Sequence, residues 1–210
     1  MEKRIYILAV IFILFLIQIS LAAITPYIKI GTMLTSPSAD DFGFVDAEGG
    51  NLDEYLDLSK GNFGGGLQFL FGMPAGPQFG AEIGYQKLFS YTFDAGVSDL
   101  PYIQEDNWEG SEQDLYINGI VNYGFPASSV FVQGGAGFHI VFWEEQRNYQ
   151  SDYTSDYEED SGSGTNFGLF GAAGINIPLG TISMPLMIRL DYIMRYGSTI
   201  TASAVVGLSF

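Results

Sequence analysis

Apolar side chains recur at every second position in eight stretches between residue 24 and residue 210, and the last stretch is the clearest. In residues 200–210, Ile200, Ala202, Ala204, Val206, Leu208 and Phe210 alternate with Thr201, Ser203, Val205, Gly207 and Ser209. Successive side chains of a strand point to opposite faces, so a period of two predicts a strand with one greasy face. Residues 24–34 send Ile28, Ile30 and Leu34 one way and Tyr27, Lys29 and Gly31 the other. Residues 62–72 set Phe63, Leu67, Phe69 and Phe71 against Gly64, Gly66 and Gln68; residues 78–91 set Phe79, Ala81 and Ile83 against Gly80, Glu82 and Gln86. Residues 113–124 and 166–177 repeat the scheme. So do residues 129–143, where Val132, Phe138 and Ile140 oppose Gln133 and His139, and residues 183–196, where Leu186, Ile188 and Leu190 oppose Arg189, Asp191 and Arg195. Each stretch is close to the roughly 9–11 residues of a tilted membrane-crossing strand, or slightly longer.

Connections between these stretches sort by length. Residues 73–77, 125–128 and 178–182 are tight and rich in Pro, Gly or Ser, whereas residues 35–61, 92–112 and 144–165 are long and polar. Only the last connection, residues 197–199, breaks the alternation by being short. Alternating short turns and long loops predict an all-β fold, an eight-stranded antiparallel up-and-down transmembrane β-barrel. The bulky residues lie on the apolar face, and the opposite face carries many glycines with scattered charges. Glycine weakens strands that face solvent but leaves room inside a narrow lumen, so the apolar face is assigned to lipid. Register agrees with this choice. A one-residue slip in the seventh strand would turn Arg189 toward lipid, where an Arg near the midplane costs roughly 2–4 kcal/mol. Lys87 is the exception on the lipid side, at the outer end of its strand, where its stem can snorkel.

Residues 1–22 read as a secretory leader. Lys3 and Arg4 precede an apolar run, residues 5–17, and Ser20-Leu21-Ala22 places small residues where a signal peptidase inspects them. The run is shorter than the roughly 17–25 residues of a membrane-spanning helix. The chain lacks cysteine, which excludes disulfides, thiolate metal sites and a lipoprotein anchor. The domain organisation is therefore a leader, residues 1–22, and one barrel domain, residues 23–210.

The net charge of −16 is concentrated. Of the 24 acidic residues, all but Glu2, Glu82 and Asp191 fall in three regions, residues 40–57, 94–114 and 144–160. Such a balance excludes nucleic acid as a partner. It fits a rim that gathers divalent cations or a basic surface ligand, and more readily a solvated surface that resists aggregation. The nearest approach to a calcium loop is Asp152, Asp156, Glu158 and Asp160, which lacks the glycine and the spacing of an EF-hand. No cofactor motif occurs: Gly64-Gly65-Gly66 lies within a strand and not before a helix.

The polar face gathers Lys29, Glu82, Gln133, His139, Arg189, Asp191 and Arg195. Charges of both signs at these positions predict an ion-paired plug more readily than a pore, because eight strands leave an interior just wide enough for side chains. Aromatic residues collect near strand ends. Phe71, Phe79, Phe125 and Phe210 mark one border; Tyr85, Phe89, Tyr91, Phe142, Trp143, Tyr192 and Tyr196 mark the other.

Strand count, loop asymmetry and the terminal Phe210 together make the chain resemble the small eight-stranded outer-membrane β-barrels, the OmpX family and the membrane domain of OmpA. The resemblance implies residence in the cell outer membrane of a Gram-negative-type bacterium, contact with outer-membrane lipid, a monomer, and a final strand read by the barrel insertion machinery. It implies a structural or surface-interaction role, with a narrow conduit for small hydrophobic molecules, as in OmpW-like barrels, as the alternative. Some relatives in that superfamily deacylate or palmitoylate lipid A with a histidine beside a hydroxyl. His139, the only histidine, is followed by Ile140 and Val141 and falls on the inward face, so no enzyme is expected.

Overall fold

The computed structural model describes residues 23–35, 55–73, 76–96, 103–151, 155–194 and 198–210. The expected leader, residues 1–22, lies outside them, as do Asp152, Arg195, Tyr196 and most of the first acidic region. The described residues form strands β1 (Ala23–Met33), β2 (Leu56–Ser59), β3 (Gly61–Gly72), β4 (Gly76–Gly96), β5 (Ile103–Gly124), β6 (Val130–Ser151), β7 (Ser155–Leu179), β8 (Ile182–Met194) and β9 (Thr199–Gly207). All pairings are antiparallel, and β1 pairs with both β3 and β9 while β4 pairs with β5, so the sheet closes on itself. The nine segments make eight staves. β2 pairs with β4 directly above β3, and only Lys60 separates the two; its carbonyl accepts from the Met33 amide at 2.8 Å. Closure leaves no unpaired edge in the ring, which is what a sheet needs where water cannot satisfy its backbone.

Burial is inverted relative to a soluble domain. Ile188 is 71% exposed and its neighbour Arg189 is 0% exposed. Ile28, Ile30, Phe138 and Leu190 likewise face outward, and Lys29, Glu82, His139 and Asp191 face inward. The outer girdle differs from expectation at three positions. Tyr85, Phe142 and Tyr192 face outward, but Phe89 and Tyr91 are buried inside and Trp143 takes the inward side of β6. A β-bulge between Lys87 and Phe89 inserts Leu88 into β4, so odd positions before it face out and odd positions after it face in. Trp143 follows from simple alternation, since Phe142 faces out.

The strands are also longer than expected. Residues 92–112 and 144–165 do not form loops but continue the β4–β5 and β6–β7 ladders, leaving only residues 97–102 and 152–154 as connections. Both faces of these extensions are polar enough to hide the two-residue period from a hydrophobicity reading. Among the described residues β8 pairs with β7 as far as Met194, opposite Phe167, while β6 and β7 are paired up to Gln150 and Ser155. The run from His139 to Gln150, at about 3.4 Å per residue, carries that side of the sheet about 40 Å further along the strand direction. Among the described residues the result is a barrel with a wing of β4–β7 on one side.

Candidate functional site

On β8 and β1 the inward residues fall into layers in the same order. On β8 they are Met187, Arg189, Asp191 and Ile193; on β1, Tyr27, Lys29, Gly31 and Met33. The lower apolar layer is Tyr27, Phe131, Met187 and Val205. The upper one is Met33, Leu88, Phe89, Tyr91, Phe93, Val141 and Ile193. Charges sit between them.

Arg189 anchors the charged layer. Its Nε and Nη2 reach Asp191 Oδ1 at 2.8 and 2.7 Å, and its Nη1 donates to Glu82 Oε1 at 2.6 Å. The guanidinium lies 3.8 Å from the Phe170 ring centroid. Lys29 Nζ is 3.5 Å from Asp191 Oδ2 and 4.6 Å from the centroid of Tyr116. Glu82 further accepts from the Tyr27 hydroxyl, from Gln68 Nε2 at 3.3 Å and from Asn118 Nδ2 at 3.1 Å. Buried ions persist when they are paired, and these five elements of the ring, β1, β3, β4, β5 and β8, supply partners for one another; Lys29 is held by its ion pair with Asp191 and not by a hydrogen bond. Glycine makes the layer possible: a Cβ at Gly84 would meet the ring of Tyr116, which lies opposite it in the β4–β5 ladder.

His139 belongs to an adjoining set. Its Nδ1 is 2.8 Å from Asp114 Oδ2, which also accepts from Gln86 Nε2 at 2.7 Å, and its ring stacks on Tyr116 with centroids 5.4 Å apart. Gly168 leaves the space that the imidazole fills. Asp114 thus faces the lumen at 0% exposure and is not part of the acidic rim. Gln133 forms a reciprocal amide pair with Gln68, at 3.2 and 3.3 Å, below the charges.

The structure therefore brings Lys29, Glu82, Arg189 and Asp191 into one network, places His139 and Gln133 beside it, and leaves Arg195 outside the described residues. Tyr27, Gln68, Gln86, Asp114, Tyr116 and Asn118 complete the lumen. All but Asp114 stand out in the sequence only as members of the alternate face opposite the apolar one on their strands. Asp156, Glu158 and Asp160 are exposed at alternate positions of extended β7, a spacing that spreads carboxylates along a strand. Among the described residues no group of three or more His, Asp or Glu side chains converges as a metal cluster. On the inner face of the wing, Arg147 lies 4.6 Å from the Trp108 ring, opposite Glu158 across the ladder. The Tyr91 hydroxyl donates to Glu145; burial first, and then this bond, push that phenol above its ordinary range.

Residues 8–200 match the family model described as outer membrane protein beta-barrel domain. Among curated proteins none matches the chain. Similar solved structures include Neisserial surface protein A, at 12% identity and TM-score 0.44, with 90% of this chain and 95% of that chain covered. OprG from Pseudomonas aeruginosa is 13% identical with TM-score 0.45 over the same shares, 90% and 95%. Ail of Yersinia pestis, solved in complex with the heparin analogue sucrose octasulfate, is 12% identical with TM-score 0.42, covering 90% and 97%.

Proposed function

The chain belongs to the outer membrane protein β-barrel domain family and is a protein of the cell outer membrane, and on that premise we propose that it is a non-enzymatic, monomeric surface barrel. Its lumen acts as a plug, and the acidic wing of β4–β7 is the working part, which takes basic surface ligands or divalent cations. The observation that carries this reading is the filled bore beside a wing that stands clear of it. Arg189, Glu82 and Asp191 are paired across the lumen, with apolar side chains gathered above and below them. The proposal includes a leader, residues 1–22, removed on export, and insertion guided by the strand that ends near Phe210. Phe210 is exposed on the lipid side and exchanges backbone hydrogen bonds with Ile24, at 3.1 and 3.4 Å.

Two measurements on protein refolded into phosphatidylcholine vesicles test the reading. Planar-bilayer recording is expected to show silence; reproducible conductance steps would replace the plug with the narrow-conduit alternative. Fluorescent polylysine is expected to bind intact protein and to dissociate as salt rises toward 0.5 M, where screening falls to about 4–5 Å. A variant lacking residues 146–159 keeps the ring and the β4–β5 part of the wing, loses Asp152, Asp156, Glu158 and Glu159, and is expected to bind more weakly. Equal binding by both proteins would remove the wing from the function.

A further inference from the structure

At the short-turn end, opposite the wing, the lumen opens into a cavity of about 140 Å³. This is well above the roughly 10–15 Å³ that one water requires. Its walls are amides and hydroxyls, Gln68, Gln78, Asn122, Gln133 and Thr25 among them, and its floor is Phe131 and Met187. No lining side chain is charged. This sets the cavity apart from the layer above, where every ion is held by another.

The amides are pre-positioned. Gln68 and Gln133 lock each other through two hydrogen bonds, and Asn122 Nδ2 donates to Gln78 Oε1 at 2.7 Å. Asn122 Oδ1 remains without a partner although the residue is only 5% exposed. An acceptor of this kind, facing an open cavity, is available to a donor from water or from a guest that displaces it. The lining side chains favour a neutral guest, because none of them offers a counter-charge to an ion that would lose its hydration. The amino group of Ala23, freed when the leader is removed, is a cation beside the cavity and makes an acidic sugar the decisive control. One side of the guest must be apolar, to lie on Phe131 and Met187, while its edges carry hydroxyls. A few fixed polar groups around an apolar floor are the usual construction of a small-molecule site.

From these features we propose that the short-turn end of the lumen is a cup for a neutral sugar ring. Asn122 accepts a hydroxyl of the sugar, Gln78 and the Gln68–Gln133 pair fix its orientation, and Phe131 supports its apolar face. In barrels of this family the short turns face the periplasm, so the sugar comes either from cell-wall glycan or from the free periplasmic pool. The cup is independent of the wing, and its failure would leave the surface role untouched.

The test is titration of refolded, isotope-labelled protein in phosphocholine micelles, since detergents with sugar headgroups would compete. Side-chain amide signals of Asn122 and Gln78 are followed by NMR against glucose, N-acetylglucosamine and, as a charged control, glucuronate. Saturable shifts with half-saturation at about 10 mM or below are expected for a neutral sugar, within the millimolar regime of weak single-ring binding. Preference for N-acetylglucosamine assigns the guest to wall glycan; equal or better response to glucose assigns it to free sugar. Asn122→Leu is expected to weaken binding at least about tenfold, equivalent to roughly 1.4 kcal/mol. If its unboiled gel band shows that it does not fold, Gln78→Leu carries the comparison. Shifts that stay linear, an equal response to glucuronate, or undiminished binding by the folded variant would each overturn the proposal.

Discussion

Replacing Arg189 with methionine removes the cation that two buried carboxylates share. In the native layer Arg189 approaches Asp191 Oδ1 twice, at 2.7 and 2.8 Å, and Glu82 Oε1 at 2.6 Å, and it is 0% exposed. Lys29 remains, but its nearest carboxylate atom is 3.5 Å away on Asp191, so Glu82 is left with hydrogen bonds and no cation. Taking one partner from a buried ion set costs about 3–5 kcal/mol. The expected loss is of that size, read from urea unfolding of vesicle-embedded protein by the fluorescence of Trp108 and Trp143. Adding Glu82→Gln in the same chain removes the stranded charge and keeps the Lys29–Asp191 pair. The double variant is therefore expected to regain most of the loss, because neutral replacement of whole ion pairs is close to neutral in energy. An Arg189→Met variant within about 1 kcal/mol of the native protein would refute the reasoning, since that is the scale of an exposed pair. A double variant no better than the single one would refute it too.

Gly84→Val drives a branched side chain into the Tyr116 ring and is expected to cost about 1–3 kcal/mol or more, seen as loss of the heat-shifted gel band. Deleting Leu88 abolishes the bulge yet keeps Phe89, Tyr91 and Phe93 on the inward side, so the cost is limited to one buried leucine, about 2–5 kcal/mol. A large red shift of tryptophan emission in that deletion would show that the bulge itself holds the wing. His139→Ala leaves Asp114 with Gln86 alone and is expected to lower stability by about 1–3 kcal/mol while lipid A composition in expressing cells stays unchanged. An altered lipid A profile would contradict the non-enzymatic reading. Mass spectrometry of exported protein is expected to find Ala23 as its first residue, and a retained residue 1–22 segment would remove the proposed leader.

The ring was legible because lipid on one side and a narrow lumen on the other impose opposite demands on neighbouring residues. Ile188 beside Arg189 states that demand in two letters. The same alternation placed Lys29, Glu82, His139, Arg189 and Asp191 on one face, and their pairing follows from closing the ring. Two features escaped a reading based on hydrophobicity. On the outer side of the wing Glu144, Gln146 and Asn148 face out where Ile140 and Phe142 do so below, so the strand resembles a loop. The bulge at Leu88 is a local insertion, and nothing in Lys87-Leu88-Phe89 announces which residue the ladder will skip. Asp114 was obscured by its acidic neighbours Glu109 and Glu112, although it sits two positions from Tyr116 on the inward side. The apolar layers inside the lumen were hidden for a related reason: Met33, Met187, Val205 and Ile193 occupy the face otherwise marked by polarity.

The claim on which the account depends is that lipid touches the bulky alternate residues of the ring. The chain has no cysteine, so single cysteines at positions 186–191 of β8 can each carry a nitroxide label in vesicle-embedded protein. Collision rates with oxygen, which concentrates in the bilayer, and with a water-soluble nickel chelate are then compared by electron spin resonance. Labels at 186, 188 and 190 are expected to meet oxygen and escape nickel, and labels at 187, 189 and 191 to meet neither freely. High nickel accessibility at 188 would mean that this face meets water, and the barrel would have to be turned inside out.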